Sequence, residues 1–454
     1  MNVLIIDMTH GGIPIALEFL NYTDFNVFAL DIYNTLSKEK KELLSQKGIK
    51  IVEKGFLDNI DIKDDIMEIS NDDFLLVAPI HCNIKPKIHL THHEAVNFLL
   101  ENKIKVPIIE VTGVKGKTSV VWMLKEIFIE NDPLVLSSLG IEVIQNTKSQ
   151  ILKKDISITP ASIIETWELG KPFNPEICIF ESSLGGTGLA DAGIITNIAE
   201  NYPIASGEKN ASLAKEQMFK SKITVCDFDS FAFFYSNMTG KINTFGLNVK
   251  SNVYASDIEF TLDKTTFKAK INNLKTIEGT LLSTEFEVET FAPAEHHLNN
   301  VLCAICGALT LNTPVNQIKE GLKKFKGIRG RTSIKKYKGS TIIEEINPGL
   351  NVTAIKKSVD MIRDFKNSTL IFGGKYGITC EEIDEDSTVE FIHQINDEIS
   401  LILVDELGKN IKNKIKRKYK YMDNFNNAIE KGIEMNSPII LLIYRSIFSD
   451  QNKR

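Results

Sequence analysis

EVTGVKGKTSVVWM, residues 110–123, is the stretch that decides the fold. The run VPIIEVTG (106–113) has the length and apolar character of a buried strand, glycines at 113 and 116 break it, and from Lys117 onward apolar residues recur at helical spacing. A strand that turns through glycines into a helix brings unpaired backbone N–H groups and the positive end of a helix dipole to one point, which makes a cradle for phosphate. Gly113 and Gly116 allow close backbone approach, Lys117 adds a positive charge, and Thr118 offers a hydroxyl to magnesium. The common pattern is GxxxxGK[ST]; here Val111 stands where the first glycine would be, leaving TGxxGK[ST] over Thr112–Thr118. Nucleotide phosphate binding is favoured over a bland glycine turn.

Outward from this loop, PLVLSSLG, EICIFESS, AGIITNI and ITVCDF are further apolar runs ending in small or polar residues. They suit parallel strands buried on both faces, with functional loops at their carboxyl ends. Residues 106–325 therefore read as a central α/β domain, in which 240–292 alternates apolar and polar residues and reads as an antiparallel insertion or flap. Residues 1–105 read as a small α/β domain whose first strand runs into Thr9, His10, Gly11 and Gly12 and whose second ends at Asp31. That resembles half of a dinucleotide fold, but the glycines are not spaced GxGxxG, so a turn that packs a helix onto a strand is favoured over a nicotinamide site. Past the basic stretch KKFKGIRGRTSIKKYKG (323–339), four more apolar strands mark a third α/β domain over 326–454.

Composition narrows the function. At 454 residues the chain exceeds the roughly 100–200 of one ordinary domain. A net charge of -6 disfavours nucleic acid or an anionic membrane as partner, so small anionic substrates must be met by local basic groups. The start MNVLIIDMTHGG lacks the pattern of a signal peptide, no apolar run is long enough to span a bilayer, and six scattered cysteines fit reduced thiols. The expectation is a soluble cytoplasmic protein; its oligomeric state is not legible. Cys303 and Cys306, three apart on an apolar helix, read as core residues.

The shortened loop resembles that of the Mur ligase family, whose members activate a carboxylate with ATP before a nucleophile attacks it. Further segments match in order. SITPAS (157–162), with Thr159 and Pro160, is similar to the family's segment near the acceptor substrate. Glu181, ending CIFE, matches the acidic residue that holds magnesium. In ITNIAENYPI (195–204), Asn201 and Tyr202 replace the family's Asp-His pair, which removes an expected ligand. Lys215 stands where many members carry a carbamylated lysine; carbamate and plain lysine both remain open. In AEHHLNNV (294–301) Asn300 matches the adenine contact, with His297 replacing an asparagine. Arg331, with Arg329 as runner-up, matches a nucleotide-contacting arginine, and Glu345 a residue touching ribose.

The resemblance implies an α/β, three-domain Mur-ligase-like architecture: an N-terminal substrate domain, a central P-loop ATPase domain, and a Rossmann-like C-terminal domain that closes over ATP. It implies ATP binding by Gly113, Val114, Lys115, Gly116, Lys117, Thr118, Ser119, Asn300 and Arg331, catalysis by Lys117, Glu181 and Lys215, and Mg2+ held by Thr118 and Glu181. THGG (9–12), APIHC (78–82), THHEAV (91–96), ITPAS and ESSLGGTGLADAGIITNIAENYPIA resemble more narrowly one archaeal branch that closes a ring on a nickel tetrapyrrole. That resemblance implies a small-molecule macrocycle as substrate, its propionate activated as an acyl phosphate and displaced by a ring carbon, with nickel present only as part of the substrate. Of the eight histidines, His10, His81, His89, His92 and His93 crowd the first domain; His10, His92 and His93, with Thr159 and Pro160, are the candidate substrate contacts. The rival readings are an amide-bond ligase needing a separate amino acid and a nucleotide-binding switch without ligase chemistry.

Overall fold

A computed structural model of the chain describes residues 1–446 apart from 23–24, 61, 64–69, 71–72, 85–86, 262–263, 329–331, 347–349, 351, 364 and 378–382. Contact density divides it into two units. The first comprises 1–258, 267–288 and 299–322; the second comprises 259–266, 289–298 and 323–454.

The first unit starts with five strands, β1 (Asn2–Ile6), β2 (Asn26–Leu30), β3 (Lys50–Val52), β4 (Phe74–Ala78) and β5 (Leu90–Thr91), in a wholly parallel sheet of order β3-β2-β1-β4-β5. Helices α1 (Ile13–Leu20), α2 (Lys38–Gln46) and α3 (His92–Leu100) connect or follow them. Parallel pairing demands such crossovers, and the order places the carboxyl end of β1 at the middle of the sheet.

The second sheet has eleven strands in the order β18-β17-β16-β15-β14-β11-β6-β10-β7-β8-β9. Its centre is β6 (Ile108–Thr112), flanked by β10 (Ile177–Glu181) and β11 (Ala192–Ile195), all running parallel. Next to these lie β7 (Pro133–Ser137) on one side and β14 (Ile223–Asp227) and β15 (Ile242–Phe245) on the other. A hairpin of β8 (Gly140–Gln145) and β9 (Lys148–Lys153) closes one edge, and a short pair, β12 (Pro203–Ile204) with β13 (Lys209–Asn210), stands apart. The alternating stretch forms β16 (Val253–Phe260), β17 (Thr265–Lys275) and β18 (Leu281–Thr290), which prolong the other edge beyond β15. Every residue of β6, β10 and β11 is buried, as the continuous apolar runs require. Among the helices of this region are α4 (Lys117–Ile127), α5 (Ala161–Gly170), α6 (Ala211–Lys215), α7 (Phe228–Phe234) and α8 (Glu295–Thr310). One apolar core runs from Val3, Ile15 and Phe19 through Val96 and Leu99 to Ile163 and Phe180, so α1, α3 and α5 tie the two sheets together.

In the second unit, a six-stranded sheet has the order β19-β20-β24-β21-β22-β23, with β19 (Thr332–Tyr337), β20 (Ser340–Ile346), β21 (Thr369–Gly374), β22 (Ser400–Val404), β23 (Tyr419–Met422) and β24 (Ile439–Arg445). Only the β19–β20 hairpin is antiparallel. Among the described residues no helix is long and apolar enough to cross a membrane.

Candidate functional site

The phosphate loop forms as its sequence dictates. Gly113 (φ 141°) and Gly116 (φ 87°) adopt backbone conformations that side chains resist. Space forbids a side chain as well: a Cβ on Gly113 would lie 1.9 Å from Thr196 Oγ1, and one on Gly116 would lie 2.3 Å from Asn300 Oδ1. Asn300 thus stands directly against the loop. The intervening residues are fastened to the end of β11, where the Val114 amide donates to Asn197 O (3.0 Å), Thr196 Oγ1 donates to Lys115 O (2.6 Å), and Lys115 Nζ pairs with Glu200 (3.0 Å). Lys117 folds back to donate to Gly113 O (3.1 Å), and Ser119 occupies the first turn of α4.

Glu181, at the end of β10, meets this loop. Thr118 Oγ1 donates to Glu181 Oε1 (3.0 Å), while the Ser138 amide donates to Oε2 (2.9 Å). Both side chains are almost wholly buried. A hydroxyl and a carboxylate held side by side at the mouth of a phosphate cradle are hard oxygen donors, the set that suits magnesium. The residues fit the ion that the loop calls for.

Lys215, closing α6, is 1% exposed, and its Nζ has no hydrogen-bond partner among the described residues. Burial, reinforced by the charge of Lys117, pushes its ammonium down to about 7. Its cation lies 5.6 Å from the centre of the Tyr202 ring. The neighbouring Asn201 accepts the Ser212 amide (2.9 Å). Asn201 thus braces α6, and Tyr202 faces Lys215.

Thr159 and Pro160 enter α5, with Pro160 at its N-cap. Gly11 (φ 107°) is pressed against them: a Cβ there would meet Ala161 Cβ at 2.8 Å and Thr159 Oγ1 at 3.2 Å. The adjoining Ile158 carbonyl accepts the Ser183 amide (2.8 Å), two residues past Glu181. The His10 loop, the TPAS segment and the Glu181 loop are thereby linked by direct contacts within one unit.

The histidines divide sharply. His10 is exposed at the end of β1. His92 and His93, expected as substrate contacts, lie inside. Their Nε2 atoms face Ile6 O and Ser183 O, each at 3.0 Å, and burial pushes both rings down to about 4, so they are neutral near pH 7. The capping box of Thr91 and Glu94 starts α3 at His92, and both imidazoles lie buried in its first turn. His89 is likewise bound to backbone, accepting the Leu76 amide (2.9 Å).

Sequence reasoning passed over two carboxylates. Glu110, within β6, accepts the Thr187 amide and hydroxyl (3.0 and 2.8 Å) and holds the chain after Glu181; burial outweighs these bonds and raises it to about 7. Its signal was a lone charge inside an apolar strand. Asp7 follows β1 with φ 72° and ψ 87°, and its carboxylate accepts the Thr9 and His10 amides (2.9 and 3.1 Å). Burial raises it, but hydrogen bonds from His81 and His10 outweigh that and hold it at about 2. Among the described residues, Asp7, His10 and His81 are the one group of three whose ligand atoms lie close enough to share a metal ion.

In the second unit Glu345 lies 4.0 Å from His297, whose Nε2 is 3.1 Å from Thr332 Oγ1. Burial pushes Glu345 up to about 7. Arg331 and Arg329 lie outside the described residues.

Residues 334–447 match the family model described as coenzyme F430 synthetase CfbE, C-terminal domain. The chain is 30% identical over 421 residues to the coenzyme F(430) synthetase of Methanocaldococcus jannaschii, covering 90% of this chain and 92% of that one. It is 28% identical over 438 residues to the protein of the same name from Methanosarcina acetivorans, covering 88% and 89%. Its fold is that of MurF from Acinetobacter baumannii, with a TM-score of 0.58, 16% identity and 83% of each chain covered. The architecture is accordingly α/β and Mur-ligase-like, with three domains.

Proposed function

The chain belongs to the coenzyme F(430) synthetase family, and on that premise we propose that it uses ATP to close a carbocyclic ring on a nickel tetrapyrrole. The observation that carries the proposal is an intact phosphate cradle, Gly113 to Thr118 with Glu181 against it, in a chain matched over nine-tenths of its length by a synthetase of that name.

A propionate oxygen of the macrocycle attacks the γ-phosphorus, the bond to ADP breaks, and an acyl phosphate results. A ring carbon of the same molecule, giving up its proton, then attacks the acyl carbon. The carbon–oxygen bond breaks, and phosphate leaves with the carboxylate's oxygen. Lys117 and the amides of 113–118 balance charge on the transferring phosphoryl group. Thr118 and Glu181 would hold magnesium, which when bound would neutralise ATP's charge and so let a carboxylate approach. Asn300 fixes the loop at Gly116 and borders the nucleotide. Thr159 and Pro160, beside the His10 loop, border the macrocycle.

Lys215 acts in this reading as a carbamate. Burial leaves much of it as free amine near pH 7, the form that adds carbon dioxide. The product is an anion, converting repulsion from Lys117 into attraction. The nucleophile is tethered to the group it attacks, so orientation comes largely with the substrate and no amine pocket is required.

The test is to mix the protein with magnesium-ATP and the nickel seco-precursor, with no amine present, and follow absorption and mass. Loss of one water from the macrocycle with matching ADP release is expected. A reaction that proceeds only when an amino acid is added would establish the amide ligase instead.

A further inference from the structure

The phosphate end of the site is accounted for, but the pair formed by Asp7 and His10 is not. Asp7 is fully buried at the centre of the first sheet, in a left-handed conformation that a non-glycine residue keeps only when its surroundings enforce it. Enforcement comes from its own side chain. Oδ1 takes the two amides, and Oδ2 faces His10 Nδ1 at 2.7 Å and His81 Nε2 at 3.6 Å. The short contact assigns a proton to His10 Nδ1, which leaves the lone pair of Nε2 on the far side of a ring whose side chain is 48% exposed. A carboxylate behind an imidazole, fixing its tautomer and ring orientation, is the arrangement that supports a metal-ligating histidine. His81 and the exposed Tyr33 hold the ring edge-on from two sides, at 5.1 and 5.6 Å between centres.

Resting on the substrate reading above, we propose that His10 Nε2 is an axial ligand to the nickel of the bound macrocycle, with Asp7 as its positioning residue. A tetrapyrrole fills nickel's equatorial plane and leaves the axial positions open, and imidazole is a ligand nickel accepts readily. The location suits this. His10 precedes Gly11, which touches Thr159, and the Ser183 amide beyond joins the same segment to Glu181. Both contacts fall on one segment, so a macrocycle anchored by its metal at His10 would present its propionate toward the Glu181 side of the phosphate loop. Because the Oδ2–Nδ1 contact occupies the space between Asp7 and His10, an ion chelated by all three residues fits less well than a metal approached by Nε2 alone.

The experiment uses the full-length protein, the nickel seco-precursor and its metal-free analogue, without ATP. Nickel-edge X-ray absorption and the visible spectrum should show one added nitrogen ligand on binding to the wild type. His10→Ala should still bind ATP but lose that ligand, with macrocycle affinity falling about 10–100-fold and the preference for the nickel form abolished. Free imidazole should restore the spectrum. Asp7→Asn should lower the nickel preference about tenfold. An unchanged nickel spectrum in His10→Ala, or equal affinity of the wild type for nickel and metal-free macrocycles, overturns the proposal. If the wild type shows no added nitrogen ligand yet closes the ring once magnesium-ATP is supplied, the axial ligand falls and the substrate reading stands. If it neither binds the macrocycle nor closes the ring when magnesium-ATP is added, both fall.

Discussion

Two places in the first unit solve the same backbone problem and do opposite chemistry. At residues 7–12 and again at 113–116, the central strand of a parallel sheet turns through positive-φ residues into a helix. Such a turn aims amides at a common point. In the first, Asp7 fills that point with its own carboxylate, so the loop has no room for a phosphate and its charge orients an imidazole instead. In the second, glycines leave the point open and Lys117 and Thr118 follow it. One acidic side chain at the strand end separates a phosphate cradle from a histidine mount. It also explains physically why the first domain, for all its likeness to half of a dinucleotide fold, does not read as a nicotinamide site.

The contrast can be broken most severely at the phosphate loop. Lys117→Ala should slow macrocycle-dependent ADP release about a thousandfold, as loss of a group stabilising transferred charge does. Retained turnover would remove the loop from catalysis. Glu181→Gln should cost about a hundredfold and raise the magnesium concentration needed for half-maximal rate, read by titrating the metal at fixed ATP.

Lys215 sharpens the comparison through stability. Its pKa falls from an ordinary 10.5 to about 7 because the folded state disfavours the buried cation. Below about pH 7 both folded and unfolded chains carry the charge and the folded one bears the whole penalty. Between pH 7 and 10.5 the unfolded chain holds the extra proton, so stability rises with pH. Lys215→Met should therefore abolish ring closure yet, with carbon dioxide excluded so that no carbamate forms, stabilise the protein by about 1–3 kcal/mol below pH 7, a gain that fades as pH rises. Thermal melts at pH 6 and pH 9 measure it; an equal gain at both (~1–3 kcal/mol) would refute the buried cation.

The smallest catalytic effect belongs to the inner histidines. His92→Ala and His93→Ala should each destabilise the fold by about 1–3 kcal/mol, leaving Ile6 O or Ser183 O without its imidazole partner, while macrocycle affinity changes little. A loss of affinity without loss of melting temperature would return them to the substrate surface.

The strand, turn and helix of the phosphate loop were legible because the apolar run, the glycines, Lys117 and Thr118 are contiguous. Glu181 was legible as a strand end. The Asp7–His10–His81 group was not, because His81 joins it from over seventy positions away and only the parallel pairing of β1 with β4 brings them together. His92 and His93 misled because histidine identity says nothing of which way a helix faces. The capping box fixes only where that helix begins; packing buries both rings, with their Nε2 atoms against Ile6 O and Ser183 O.

Activation of a carboxylate is tested most directly with the macrocycle labelled with heavy oxygen in its propionate. After ring closure with magnesium-ATP, the phosphate released should carry one labelled oxygen for each ring formed. Unlabelled phosphate alongside a closed ring would contradict an acyl phosphate and, with it, the role assigned to the phosphate cradle.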